Sequence, residues 1–435
     1  MTARGGRTQA TSGSTSDTPT RVKRAWGRWP QVSAWVALIW SAGYALAGVA
    51  WSAGSSWYPF RQVSLDRASA SLLEGTPAVV VGPAFTASGI LGVVAAVILL
   101  RQGADARWHR AAIMVGCAWA LAATTLIPDY TILAVLALWP VLALFAVVGV
   151  LGGGAQDGLG DILYWHRVHL FILFLGGLAW AGATLAALRR HRGGCVNCGR
   201  RPGDAANASP QRLARLTELG RRFVFLALLA TLPYDVTRIA WFLGWPLGLT
   251  DELYRSLQDP PVLLTVGLVL GILSTAGAWL THGLVATWGE RFPGWVPRLG
   301  GRPVPVMLAV VPAALVALSL PPASIMFANP GINGGFDLAN WGVWLPSMFW
   351  LLWGVGLGGA AWTYYLRRRG ECWHCARASG ASSARDNDAA GTSRSLPFGR
   401  YPPTPTTPSL DERQRGRRQA LFGTCQDHHE PPTMS

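Results

Sequence analysis

Charge is what this sequence has least of. Acidic and basic residues make up 14% of its 435 positions, against about a quarter in a soluble domain, which argues against an ordinary cytosolic enzyme. Lysine is all but missing. Lys23 is the single example, so the formal charge of +15 rests almost wholly on arginine. Six cysteines are too few for a disulfide-dense secreted scaffold. Enzyme signatures are missing too: there is no GxxxxGK(S/T) loop to cradle phosphates, no HExxH zinc helix and no GxSxG nucleophile turn. No polar stretch is long enough to form a separate catalytic domain. These absences favour a non-enzyme without deciding the point.

What is present is apolar. Hydrophobic residues are 51% of the chain, gathered into runs at 32–53, 84–101, 113–139, 164–188, 222–245, 262–287, 304–322 and 341–366. A helix needs about 20 residues to cross a bilayer, and these runs are close to that length. A ninth run, 141–153, is shorter than a span. Tryptophans at segment ends (Trp139, Trp245, Trp288, Trp341) suit anchoring at the membrane interface. A water-soluble bundle would need polar faces on most helices, and they are not there. The expected fold is all-α, a polytopic transmembrane helix bundle of about eight crossings. The Ser/Thr/Gly/Arg-rich start (1–30) and the polar, Pro/Thr-containing end (378–435) have no apolar face to bury and are expected to be disordered. The first apolar run lies too far from the start, and is too long, for a cleavable signal peptide.

Arginine placement predicts the threading. Basic residues fall in the N-terminal tail, at Arg101, Arg107 and Arg110, across 189–222, at Arg291, Arg298 and Arg302, and at Arg367–Arg369. The alternate loops 54–83, 246–261 and 323–340 carry only Arg61, Arg67 and Arg255. This positive-inside pattern places both termini in the cytoplasm of a multi-pass plasma-membrane protein. The charge marks topology rather than nucleic-acid binding. The partner it implies is the bilayer, with anionic lipids meeting the arginines of the interfacial segment 288–303.

Counting 113–127 and 131–150 as separate crossings would put the arginine-rich 189–222 loop on the wrong side. An internal echo offers another count. Residues 125–140 (TLIPDYTILAVLALWP) match 231–246 (TLPYDVTRIAWFLGWP) without gaps, sharing Thr125/Thr231, Asp129/Asp235, Thr131/Thr237 and Trp139/Trp245 among others. The second copy sits inside one continuous crossing. The first is therefore expected to be one helix over 113–139, kinked near Pro128, with 141–153 re-entrant. A second echo relates 178–200 to 357–377: a small-residue helix, an arginine cluster, then Cys-x-x-Cys. Together they suggest two parallel halves, 31–200 and 221–377, joined by a linker at 201–220, as in many transporters.

The sharpest chemical signal is the pair of knuckles Cys195/Cys198 and Cys372/Cys375. Cys-x-x-Cys lets two thiolates reach one metal from a tight turn, and two such turns supply a tetrahedral zinc site. Dithiol redox chemistry beside arginines is the alternative, and reduced thiols without a ligand are the plain reading. Ionisable groups within the apolar runs come next. Asp235 and Arg238 are three apart on one helix and are expected to neutralise each other as an ion pair. Asp129, its counterpart in the first copy, and His282 could instead line a polar path with Asp235. His166 and His169 raise haem ligation, though interfacial placement is the simpler expectation.

Residues 281–313 (THGLVATWGERFPGWVPRLGGRPVPVMLAVVPA) and the ending RRRGECWHC resemble a set of uncharacterised multi-pass membrane proteins of actinobacterial type. The resemblance covers mainly 221–377 and implies membrane location. Two functional classes follow: a transporter-like or scaffold protein with a cytoplasmic zinc clip, or a membrane thiol–disulfide oxidoreductase.

Overall fold

The computed structural model describes residues 27–61, 71–101, 105–136, 164–201, 209–259, 262–327 and 336–370, with Cys372, His374 and Cys375. Among these there are helices and no strands. They are α1 (Trp29–Ser52), α2 (Ala78–Leu100), α3 (Ala106–Leu121), α4 (Trp165–His191), α5 (Pro210–Phe242), α6 (Asp251–Gln258), α7 (Val262–Gly283), α8 (Val306–Phe327), α9 (Trp341–Met348) and α10 (Trp350–Arg368). Among the described residues, seven helical stretches are long and apolar enough to cross a membrane, from Trp29–Ser52 through Leu338–Arg368. The architecture is an all-α polytopic bundle. Residues 1–26 of the first tail, the second tail, the 141–153 run and residues 202–208 between α4 and α5 lie outside the described residues.

The segment 113–139 is not the single kinked helix expected. α3 passes into a π-helical turn at Ala122–Leu126, and the chain is then non-helical until a new helical turn starts at Thr131. Pro128 has no N–H to continue the ladder. The carbonyl of Ile127, which a continuing helix would pair with the Thr131 N–H, accepts from Ser71 Oγ at 2.7 Å. Asp129 starts the next turn, its Oδ1 accepting from the Thr131 N–H at 2.9 Å. In the matching copy, Pro233 lies inside a helix that runs on to Phe242. The two echoes also join different helices: one relates the end of α3 to the end of α5, the other α4 to α10.

Among the described residues two large apolar cores form, beside a smaller cluster of Trp241, Leu249 and Tyr254. Ala37, Phe60, Leu170, Leu173 and Trp180 belong to one, built from α1 to α4. Ala227, Leu320, Ala360 and Tyr364 belong to the other, built from α5, α8 and α10. Small residues bring backbones together, as membrane helices require when there is no water to expel between them. A Cβ on Gly48 of α1 would sit 2.5 Å from the Gly82 carbonyl oxygen of α2. One on Gly356 of α10 would sit 2.7 Å from the Ala227 nitrogen of α5. The π-helical turn packs on α8, and Leu133 packs against the second core, so the two groups touch.

Between α7 and α8 the segment 288–303 folds back on itself. Arg291 and Pro303 form an antiparallel bridge. Phe292 N–H donates to Arg302 O at 2.9 Å, and Val304 N–H to Glu290 O at 3.0 Å. The turn is fastened to the end of α10 by a 3.4 Å Arg367–Glu290 ion pair and by Tyr364 Oη donating to Gly289 O at 3.1 Å.

Candidate metal centre

α4 ends in arginines and then a tight turn bearing Cys195 and Cys198, and Cys372 and Cys375 follow the arginine-bearing end of α10. The two cysteine pairs meet. The sulfurs of Cys195, Cys198, Cys372 and Cys375 all lie within 4.8 Å of one another, and Cys198 Sγ is 3.5 Å from Cys375 Sγ. The first turn has the geometry of a knuckle. Cys195 N–H donates to Arg200 O at 2.7 Å, and Gly199 N–H to Cys195 O at 2.6 Å. Gly199 has φ of 75°, a left-handed conformation open to glycine without strain. Arg200 N–H points at Cys198 Sγ, 3.5 Å away.

Arginines hold this turn through its carbonyls. Arg189 Nη1 donates to Val196 O at 3.2 Å and to Asn197 O at 2.7 Å. Arg369, beyond the other helix group, donates from Nη1 to Cys198 O at 2.6 Å. Arg200 Nη2 returns a bond to Arg369 O at 3.3 Å. The cysteines are thus positioned by a bonded frame that spans both groups, the kind of supporting shell that orients metal ligands.

Electrostatics differ among the thiols. Burial pushes Cys198 and Cys375 up. Burial also opposes the Cys195 thiolate, but N–H groups from Cys198 and Asn197 outweigh it and hold that thiol below its ordinary value. A divalent cation at the centre would compensate the charge that burial disfavours. Four sulfurs at these separations could hold a metal ion.

The other sequence candidates are not brought together. Asp235 and Arg238 share a helix but form no ion pair among the described residues. Asp235 Oδ2 instead accepts from Thr275 Oγ1 of α7 at 3.1 Å. Arg238 runs the other way. Its guanidinium lies over Trp241 and Tyr234, 4.1 and 4.5 Å from the ring centroids, and donates to Gly342 O at 3.3 Å. The expected neutralisation fails because partners on α7 and α9 lie closer to each group than the groups lie to each other. Asp129 is fully buried against its own turn. His282 is exposed at the end of α7, beside Trp288. That places it about two helical turns beyond Thr275. His166 Nδ1 meets Pro59 O at 2.7 Å and His169 Nε2 meets Tyr44 Oη at 3.4 Å, both inside the first core.

Beside the cysteines is a cleft of about 730 Å³ between the helix groups, with Trp29 and Leu185 on one wall, Met307 and Trp362 on the other, and Arg189 and Arg369 at its polar end. Sequence reasoning found the cysteines but missed the arginine frame. The signal was present, as arginines directly before each knuckle, though it pointed to thiol activation rather than to carbonyl bonding.

Compared with known proteins, the chain matches no family model, no curated protein and no solved structure.

Proposed function

We propose that this chain is a structural plasma-membrane protein, a scaffold or transporter-like two-group helix assembly, clipped on its cytoplasmic side by one zinc ion on Cys195, Cys198, Cys372 and Cys375. The observation that carries this reading is the convergence of four sulfurs from two knuckles at the ends of α4 and α10. Four thiolates in a closed set favour zinc or an iron–sulfur centre over hard cations. They leave no open position for a substrate water, which is the mark of a structural site. The positive-inside charge pattern supports placing the cluster in the cytoplasm, where thiols stay reduced and free to bind metal. The exposed Arg291, Trp295, Arg298 and Arg302 of the 288–303 turn suit contact with anionic headgroups on that same side.

A thiol–disulfide oxidoreductase is the second reading, and the lowered Cys195 thiol favours it. Against it stand the arginine frame and the matched contribution of two sulfurs from each knuckle, which fit a shared ligand better than a single exchanging pair. Metal analysis of the purified protein beside Cys372→Ser separates the two. A clip binds about one zinc per chain and loses it on substitution, whereas a redox dithiol binds none.

A further inference from the structure

Among the described residues, Arg238 forms no ion pair with a carboxylate. Its stem runs along α7 where Gly267 and Gly271 leave room; a Cβ on either would lie 3.5 Å from the arginine side chain. Tyr234 and Trp241 face the guanidinium, and Gly342 O takes one of its N–H groups. The ion pairs formed among the described residues lie elsewhere, at Arg222–Glu218 and Arg367–Glu290. An arginine in this setting is expensive and defaults to a functional role.

Arg238 lines a cavity of about 440 Å³ bounded by Leu253, Leu257 and Leu264, with Asn340 and Asp337 at its polar edge. The volume lies in the range of small-molecule sites, which combine apolar walls with a few placed polar groups. Asp337 lines the same cavity but forms no ion pair with Arg238 among the described residues. One of its carboxylate oxygens accepts from Ala339 N–H at 2.9 Å and the other from Asn340 Nδ2 at 2.6 Å. The cavity lies at the end of the bundle away from the cysteines. Gly220 at the start of α5 meets Thr363 near the end of α10, whereas Arg238 lies near the end of α5.

We infer that this cavity binds an anionic amphiphile, with a phosphate or carboxylate head on Arg238 and an alkyl chain along the leucines. The cation supplies head selectivity, since the guanidinium pairs with planar or tetrahedral oxyanions by two N–H groups. The leucine walls supply affinity in proportion to chain area buried. The site is independent of any metal at the other end.

The test is binding to the full-length protein in neutral detergent, by calorimetry, with four probes: lysophosphatidylglycerol, dodecanoate, lysophosphatidylcholine and inorganic phosphate. Lysophosphatidylglycerol or dodecanoate is expected to bind, and R238Q to weaken that binding at least about tenfold, as loss of a charge-assisted pair implies. The tighter of the two reports whether the source is a lipid or a free fatty carboxylate. Either result supports the site. L257W keeps the charge and fills the cavity, so it decides the matter if R238Q does not fold; it too is expected to weaken binding about tenfold. Unchanged affinity in the folded variants overturns the inference. So does lysophosphatidylcholine or bare phosphate binding as tightly as the anionic amphiphiles.

Discussion

The sulfurs of Cys198 and Cys375 lie 3.5 Å apart although 177 positions separate them in the chain. A disulfide would hold them at about 2.05 Å. Tetrahedral zinc, with Zn–S near 2.3 Å, would hold them at roughly 3.8 Å. The separation is not that of a disulfide and is compatible with two sulfurs sharing one metal ion. Thiol reactivity should follow. In the protein as purified, maleimide is expected to label Cys195, Cys198, Cys372 and Cys375 slowly, and quickly after a strong chelator is added. Fast labelling without chelator, or a Cys198–Cys375 disulfide formed under mild oxidant, would favour redox chemistry instead.

Asp235 bonds to Thr275 rather than to Arg238, which gives a coupling prediction. In a double-mutant cycle on thermal stability, Asp235→Asn with Thr275→Val should couple by about 0.5–3 kcal/mol, as contacting residues do. Asp235→Asn with Arg238→Gln should add to within about 0.5 kcal/mol. Strong coupling of the second pair would restore the ion pair that helical spacing alone suggests.

Close packing of α1 on α2 predicts a contrast between two glycines of one helix. Gly48→Val pushes a side chain against backbone atoms of α2, which cannot give way. It should destabilise the protein by about 1–3 kcal/mol, read as a lower melting temperature in detergent. Gly43 has open space where its Cβ would be, so Gly43→Ala should be neutral or slightly stabilising. Equal effects would mean that the α1–α2 contact is looser than described.

Threading can be read directly. Reporter fusions at Gly203 and after Arg369 should be cytoplasmic, and one at Arg255 should be external, as the arginine pattern requires. A fusion at Gly203 that reads as external would break both the two-sided charge argument and the location proposed for the cysteine cluster.

The sequence exposed the helices because burial in lipid and burial in a core both demand long apolar runs, and each of the eight runs carries a helix. It exposed the cysteines because knuckle spacing is a local geometric requirement that survives without knowledge of the fold. It failed where the outcome depended on what packs alongside. Pro128 and Pro233 stand one place apart in otherwise matching segments, yet one ends a helix and the other lies within one. In the first copy Ser71 takes up the Ile127 carbonyl, a contact no local pattern encodes. Arg238 likewise turned to Tyr234, Trp241 and Gly342, and the last of these lies on another helix.

The most direct measurement is the zinc content of the full-length protein purified in detergent, set beside Cys198→Ser/Cys375→Ser prepared identically. The account predicts about one zinc per chain in the parent and close to none in the variant, with the variant melting at lower temperature because metal binding adds to folding stability. A parent protein free of metal, or a variant that keeps its zinc, would contradict it.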